Sequence, residues 1–318
     1  MNRARHAYWW MVAGPLVLLA VVLWQAWPYL AISQPSGSKV LVVEGWMEEH
    51  ALEEAARLIL DSGYVHVYTT GTVRPFAYYL PGGRGLSVEL HEPAQGNLEV
   101  DASGLPGTGF LLIADGDTLL RQAVEPRPQV FRTTLPRAMS RLHVVAWPMQ
   151  PPVETPAIFI GGITIGGLNL NLLQDRTWFT RPDDAAEPAW PTYAQSARGM
   201  LIRFGVPAGL VTAVPAYGRP RSRTWGNAHA FGIQARNDGI TAFDVATVGV
   251  HARRSRNLFR TAVGPGSRVG VVALTDPGCT RANWWRSYPG WITLLKEVIG
   301  TPETQAVEIK RWVAPPQG

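Results

Sequence analysis

The rhythm of apolar and polar residues changes three times along the chain. Tyr8 to Ile32 is almost wholly apolar, and no charged side chain falls between His6 and Lys39. As a helix, Trp9 to Tyr29 would rise about 31 Å, the thickness of a bilayer's hydrocarbon core. Trp9 and Trp10 lie at one end, and Trp24, Trp27 and Tyr29 at the other, where amphipathic rings favour the two interfaces. Pro15 and Pro28 are tolerable in such a helix. Arg3 and Arg5 precede it, which predicts a cytoplasmic N-terminus and an extracytoplasmic, periplasmic remainder. The rival, a cleaved signal peptide, needs a shorter apolar core and a small-x-small site, and no such site is evident before Ser33. Residues 1–38 are therefore expected to be a single-pass anchor in the inner (cytoplasmic) membrane, ending in a short flexible tether, Ser33-Gln34-Pro35-Ser36-Gly37-Ser38.

After residue 38 the pattern becomes that of a βαβ unit. Lys39–Glu44 is a short apolar run rich in valine. Glu48–Ser62 carries Leu52, Ala55, Ala56, Ile59 and Leu60 at helical spacing, and Gly63 stops it. Val65–Thr70 reads as a second strand. From 75 to 190 helical spacing all but disappears. Short alternating runs take over at 86–92, 97–103, 110–114, 130–134, 141–147 and 157–165, punctuated by turns such as Pro81-Gly82-Gly83 and Asp115-Gly116-Asp117. The α/β rhythm resumes at Pro191. Helices are expected over 192–204, 224–236, 252–262 and 291–299, and strands over 210–214, 243–250 and 269–274. The predicted fold class is α/β: a Rossmann-like open parallel sheet with helices on both faces, interrupted by an inserted all-β sandwich and preceded by one transmembrane helix. The bounds are 1–38 for anchor and tether, 39–74 and 191–318 for the α/β domain, and 75–190 for the insert.

Charge sharpens this division. Residues 39–192 carry 11 Lys and Arg against 18 Asp and Glu, whereas 193–318 carry 16 against 6. The basic half suits an anionic partner, such as a phosphate, an acidic glycan or lipid headgroups. An arginine-rich composition accounts for it equally well, since only three of the 29 basic residues are Lys. The single cysteine, Cys279, excludes an intrachain disulfide and a thiolate metal cluster, and reads as a small packed residue.

Open α/β sheets bind ligands beyond the carboxyl ends of their strands. Four such positions carry polar or glycine residues here: Glu44-Gly45-Trp46, Thr70-Gly71-Thr72, Arg223-Thr224 with Asn227 one turn on, and His251 with Arg253 and Arg254. Helix N-termini there attract anions, glycines admit a ligand to the backbone, and guanidinium forks match phosphate or carboxylate. His251 and Glu44 are the candidates for proton transfer. Each residue also has a plainer role: His251 or Thr224 as a helix cap, Glu44 as an arginine's ion-pair partner, Trp284 and Trp285 as packing. No P-loop, GxSxG, GxGxxG after the first strand or HExxH is present. The remaining histidines show no metal-ligand spacing, so no metal is expected and the cofactor is left open. A nucleic-acid partner is not expected.

Several segments together resemble the SanA/ElyC/YdcF-like family, known as domain of unknown function 218. They are Val42-Val43-Glu44-Gly45-Trp46, Thr70-Gly71, Leu201–Pro207 with its Gly205-Val206-Pro207 ending, Ser222-Arg223-Thr224-Trp225-Gly226-Asn227-Ala228, His251-Ala252-Arg253-Arg254-Ser255 and Trp284-Trp285-Arg286-Ser287. The matches span 39–74 and 191–300. The resemblance implies a Rossmann-like fold, frequent membrane anchoring and a link to envelope integrity, peptidoglycan or lipid-carrier metabolism. It supplies no settled reaction and no cofactor.

The insert resembles a calcium-dependent, xylan-binding type of carbohydrate-binding module, through Leu111-Leu112-Ile113-Ala114-Asp115-Gly116-Asp117 and Phe159–Gly167. Where such modules carry calcium-binding aspartates, this chain has Trp147–Pro156, nearly without oxygen ligands. The function expected is that of a membrane-anchored envelope-maintenance protein that binds or acts on an anionic, phosphate-bearing lipid-linked or glycan ligand. The alternative is a non-catalytic module that recognises envelope polysaccharide through the insert, with the α/β domain as scaffold.

Overall fold

The computed structural model describes residues 14, 17, 21–147, 156–170, 173, 176–180, 186–217 and 222–300. The chain divides into two compact units, one formed by Met1–Thr72 with Tyr193–Gly318 and the other by Val73–Thr192.

The first unit is built on five parallel strands. They are β1 (Val40–Glu44), β2 (His66–Thr72), β12 (Val211–Ala216), β13 (Ala242–Val248) and β14 (Arg268–Leu274). Their spatial order is β12-β2-β1-β13-β14. Helices α2 (Glu49–Ser62) and α3 (Tyr193–Arg203) cover one face, and α4 (Arg223–Asn237) and α5 (Ala252–Val263) the other. Because both faces are covered, the strands are buried on both sides and read as near-continuous apolar runs. Leu41 and Val43 meet α2, while Val42 between them faces α4 and α5. Helix α2 ends on Gly63 at φ 65°, a left-handed position that glycine adopts without strain. The strand order reverses between β1 and β13, and that reversal opens a crevice at their carboxyl ends.

The second unit is antiparallel. Two long strands dominate it, β4 (Gly85–Gly104) and β7 (Gln129–Trp147), with β3 (Tyr78–Pro81), β5 (Gly109–Ala114), β6 (Asp117–Ala123), β8 (Pro156–Ile165), β9 (Leu168–Asn169), β10 (Thr177–Thr180) and β11 (Ala186–Pro188). All nine belong to one hydrogen-bonded sheet, in which β4 pairs with β10 along its first half and with β8 along its second. Alternate residues such as Leu86, Val88, Leu98, Val100, Phe110, Leu112, Val144 and Ile158 fill its core.

Three expectations are corrected. First, the described residues form two sheets of different kind, one parallel of five strands and one antiparallel of nine, and the insert's nine strands are all joined in one hydrogen-bonded sheet. The long strands β4 and β7 run through register shifts at Glu89–Gly96 and so serve both ends of the unit.

Second, among the described residues no helix is long and apolar enough to cross a membrane. Of the expected span Trp9–Tyr29, only residues 14, 17 and 21–29 are described; the rest lies outside the described residues. The helix α1, described over 21–30, packs its end into the first unit. Leu30 is buried, and Leu23, Ala26 and Trp27 lie against a cluster with Val250, Cys279, Trp284 and Leu294. Trp27 Nε1 donates to the Cys279 carbonyl at 3.3 Å. Leu23, Ala26, Trp27 and Leu30 thus serve a protein core, while Val21, Val22 and Trp24 stay exposed, and no described helix carries the membrane anchor, and with it the membrane localisation, expected from the apolar span. Burial raises the Cys279 thiol to about 11, which suits a packed rather than a reactive cysteine.

Third, Ser33–Ser38 is a strap rather than a flexible tether. Gln34 bridges to Val271 of β14, with Gln34 N donating to Val271 O at 2.7 Å, and so covers part of that edge strand. Ser36 N donates to Asp244 Oδ1 at 2.6 Å, and Ser38 Oγ to the Ala242 carbonyl at 2.7 Å. Asp244, 1% exposed, also accepts from the Tyr64 hydroxyl at 2.9 Å. Burial and the neighbouring Asp244 carboxylate together push the Tyr64 phenol well above its ordinary value. Asp244→Ala removes both acceptors and leaves the Tyr64 hydroxyl unpaired. It is expected to cost about 3 kcal/mol in urea unfolding; a loss below about 0.5 kcal/mol would show that the strap is not clasped.

Candidate functional site at the strand carboxyl ends

Residues that follow three different strands, together with the start of α3, meet at the crevice. Trp46 follows β1, Tyr193 opens α3, Ser222 to Thr224 open α4 after β12, and His251 and Arg254 follow β13. Together they line a cleft of about 350 Å³, within the range of small-ligand sites. Of the expected site residues, Trp46, Arg223, Thr224, His251 and Arg254 are brought together here. Tyr193 and Ser222 join them.

Helix α4 is 15 residues long, and its N-terminus opens on the cleft. Ser222 caps it, accepting from Trp225 N at 3.3 Å. The remaining first-turn N–H groups and the helix dipole favour an anion. Arg223 is exposed and makes no ion pair among the described residues.

Opposite stands His251, in a 3-10 turn, Gly249–His251, between β13 and α5. Its Nδ1 lies 2.8 Å from Glu297 Oε1, and Arg254 Nε lies 2.8 Å from Glu297 Oε2. Both contacts are short, yet among the described residues His251 Nδ1 and Arg254 Nε form no aligned hydrogen bond. The N–H directions are therefore bent away from the oxygens. Glu297 is 2% exposed and comes from α6 (Tyr288–Gly300). Trp46 meets the imidazole edge-to-face, with ring centres 5.1 Å apart at 82°.

Glu297 had no signal in the sequence beyond being one of only six acids after residue 192. It lies 43 residues beyond Arg254, on a helix read only as a closing element.

Arg253 is elsewhere. Its Nε donates to the Tyr29 carbonyl at 2.6 Å, and its guanidinium stacks 3.9 Å from the Tyr29 ring centre. Residues 253 and 254 are about 100° apart around a helix, so they serve different surfaces.

Glu44, Thr70 and Asn227 do not line the cleft. Each is buried, at most 1% exposed. Glu44 shares a face with Val42, pairs in register with Thr70, and accepts from Ser255 Oγ at 2.6 Å through Oε2. Thr247 of β13 is buried as well, with no signal in the sequence, and Ser255 stood in the family-like segment without a role of its own. Glu44 Oε1, Thr70 Oγ1, Asn227 Oδ1 and Thr247 Oγ1 make no hydrogen bond among the described residues.

The glycines serve packing rather than ligand access. A Cβ on Gly71 would stand 2.6 Å from the Tyr193 carbonyl carbon and closer still to Ala194 N; one on Gly45 would stand 2.8 Å from Thr70 O. Both glycines let the start of α3 lie directly on the strand ends, which is what brings Tyr193 to the cleft. Thr69 Oγ1 secures the contact by donating to Ala194 O at 2.8 Å. Thr72 ends β2 beside Ala216 and is 8% exposed.

In the second unit, the aspartates behind the carbohydrate-module resemblance are engaged. Asp115 accepts from Ser140 N at 3.0 Å and Arg141 N at 2.8 Å, and Asp117 pairs with Arg137 at 2.7 Å. Among the described residues no group of three or more His, Cys, Asp or Glu side chains could hold a metal. Residues 148–155 lie outside the described residues.

No family model and no curated protein matches the chain. The solved structures that resemble it weakly include the following three. The sugar-binding C-terminal domain of EclA is 14% identical over 29% of this chain and 77% of its own, with a TM-score of 0.20. A family two carbohydrate esterase from Clostridium thermocellum, in complex with cellohexaose, is 13% identical over 71% and 95%, with a TM-score of 0.22. Its counterpart from Cellvibrio japonicus is 9% identical over 74% and 84%, with a TM-score of 0.20. These neighbours are carbohydrate-binding and carbohydrate esterase proteins, and similarity at this level carries no argument about what this chain does.

Proposed function

We propose that the α/β unit is a relative of the SanA/ElyC/YdcF-like proteins and binds a small phosphate-bearing ligand, a sugar phosphate by preference, in the strand-end cleft. One observation carries this reading: Arg223, Arg254, His251 and the N-terminus of α4 converge on a single cleft. Guanidinium forks and free helix N–H groups both match phosphate oxygens. Trp46 and Tyr193 add aromatic surface beside the cations, which suits a ring carried by the phosphate. An open cleft at this edge supports ligand binding by the α/β unit over a purely scaffolding role. The family resemblance would place such a ligand in envelope glycan or peptidoglycan metabolism.

The test is calorimetric titration of the full chain with inorganic phosphate and with glucose 1-phosphate. Both are expected to bind, the sugar phosphate more tightly. Arg223→Ala and Arg254→Ala should each weaken binding at least about tenfold, the equivalent of one charge-assisted hydrogen bond. Arg253→Ala, whose side chain is held by Tyr29, should leave affinity unchanged. If neither probe binds, or if the Arg223→Ala/Arg254→Ala double variant binds like the parent, the reading fails.

A further inference from the structure

We infer that the cleft is an acid–base centre as well as a binding site, with His251 as its proton-transfer group and Glu297 as the residue that positions it. The inference extends the phosphate-ligand reading and rests on it only for the identity of the substrate.

His251 lines the cleft, and Nδ1 lies 2.8 Å from Glu297 Oε1, off the axis of a straight hydrogen bond. At that separation an unprotonated Nδ1 and a carboxylate oxygen, both electron-rich, repel each other even off-axis. The favourable arrangement of a neutral ring therefore places the hydrogen on Nδ1 and leaves the lone pair on Nε2. Trp46 against the ring edge restricts its rotation.

Glu297 is suited to this role because it cannot easily turn away. It is 2% exposed, and its second oxygen is 2.8 Å from Arg254 Nε. One carboxylate thus orients both the base and a cation of the cleft. A side chain that fixes an imidazole through Nδ1 while Nε2 meets the reactant is the general logic of an orienter and a base.

The step that follows is proton transfer. The Nε2 lone pair takes a proton from a hydroxyl or water held beside the phosphate; an O–H bond breaks and an N–H bond forms. The imidazolium so produced faces the Glu297 carboxylate. In the return step the N–H bond breaks and an O–H bond re-forms on an oxygen held in the cleft, restoring the neutral ring. The bent contacts at Nδ1 and Arg254 Nε are of the kind that tighten when a ligand closes a site.

The tautomer of His251 tests this directly in the full chain. Long-range nitrogen–proton spectra of protein labelled with nitrogen-15 histidine resolve the two ring nitrogens, and the signal missing in His251→Asn assigns the residue. At a pH where the ring is neutral, the Nδ1–H form should exceed the Nε2–H form by about tenfold or more, the preference of one charge-assisted hydrogen bond. Glu297→Leu should abolish that excess, and Glu297→Gln, which keeps an acceptor oxygen, should retain part of it. Diethyl pyrocarbonate, followed by peptide mass mapping, should carbethoxylate His251 at Nε2. A parent protein with the Nε2–H form, or a His251 that does not react, overturns the inference even if glucose 1-phosphate binds. An Nδ1–H tautomer without phosphate binding would retain the acid–base pair and dismiss only the ligand class.

Discussion

Phe231→Ala should lower the stability of the α/β unit by about 3–5 kcal/mol, the range for removing a fully buried phenylalanine. Phe231 has no exposed surface. Its ring lies 5.5 Å from Tyr68 of β2, 4.8 Å from Phe243 of β13 and 5.9 Å from Phe259 of α5. It therefore ties α4 to two strands and to the neighbouring helix. Substitution leaves a cavity among rings that are themselves anchored, and a close-packed interior collapses only partly around such a loss. The aromatic pair contributions vanish with it, at about 0.5–1.5 kcal/mol each. Urea unfolding followed by far-UV circular dichroism measures the change. A loss under about 1 kcal/mol would mean that α4 is not packed on the sheet through this residue.

Gly71→Ala is the second large effect, and it joins the fold to the cleft. The added methyl group would enter the backbone of Tyr193 and Ala194, not a flexible side chain. Neither β2, held between β1 and β12, nor the start of α3 can yield freely. The expected cost is about 3 kcal/mol. Because α3 must move outward, Tyr193 should leave the cleft, and the fraction that stays folded should bind glucose 1-phosphate more weakly. Gly209→Ala, whose new methyl group meets nothing within 4 Å, serves as the neutral comparison. A Gly71→Ala variant as stable as the parent would refute the close seating of α3 on the strand ends.

Much of the α/β unit was legible because its signals are local. The apolar run of β1, the helical spacing of α2 and its stop at Gly63 are short-range facts, and they agree with the observed elements to within about two residues. The helices expected at 224–236 and 252–262 are Arg223–Asn237 and Ala252–Val263. The insert was less legible. Runs read separately at 86–92 and 97–103 are one strand, β4, and those at 130–134 and 141–147 are one strand, β7. Alternation breaks between them because Glu89–Gly96 shifts register against β7 and carries exposed residues. At the N-terminus hydropathy left the surroundings of the described residues open. Leu30 and Trp27 are apolar whether they face lipid or Val250 and Trp284, so composition alone does not distinguish the two surroundings.

By itself, the sequence determined which chemistry could gather at the strand ends: arginines, a histidine and a capped helix start, each placed by a local strand–helix junction. Tertiary structure alone decided which of them share a site. Adjacent residues on a helix point about 100° apart, so Arg254 enters the cleft while Arg253 stacks on Tyr29. Alternation along β1 turns Glu44 under α5, where Ser255 holds it, rather than toward the opening. Glu297 reaches His251 from a helix 46 positions away. Its role depends on long-range packing that no local pattern of residues encodes.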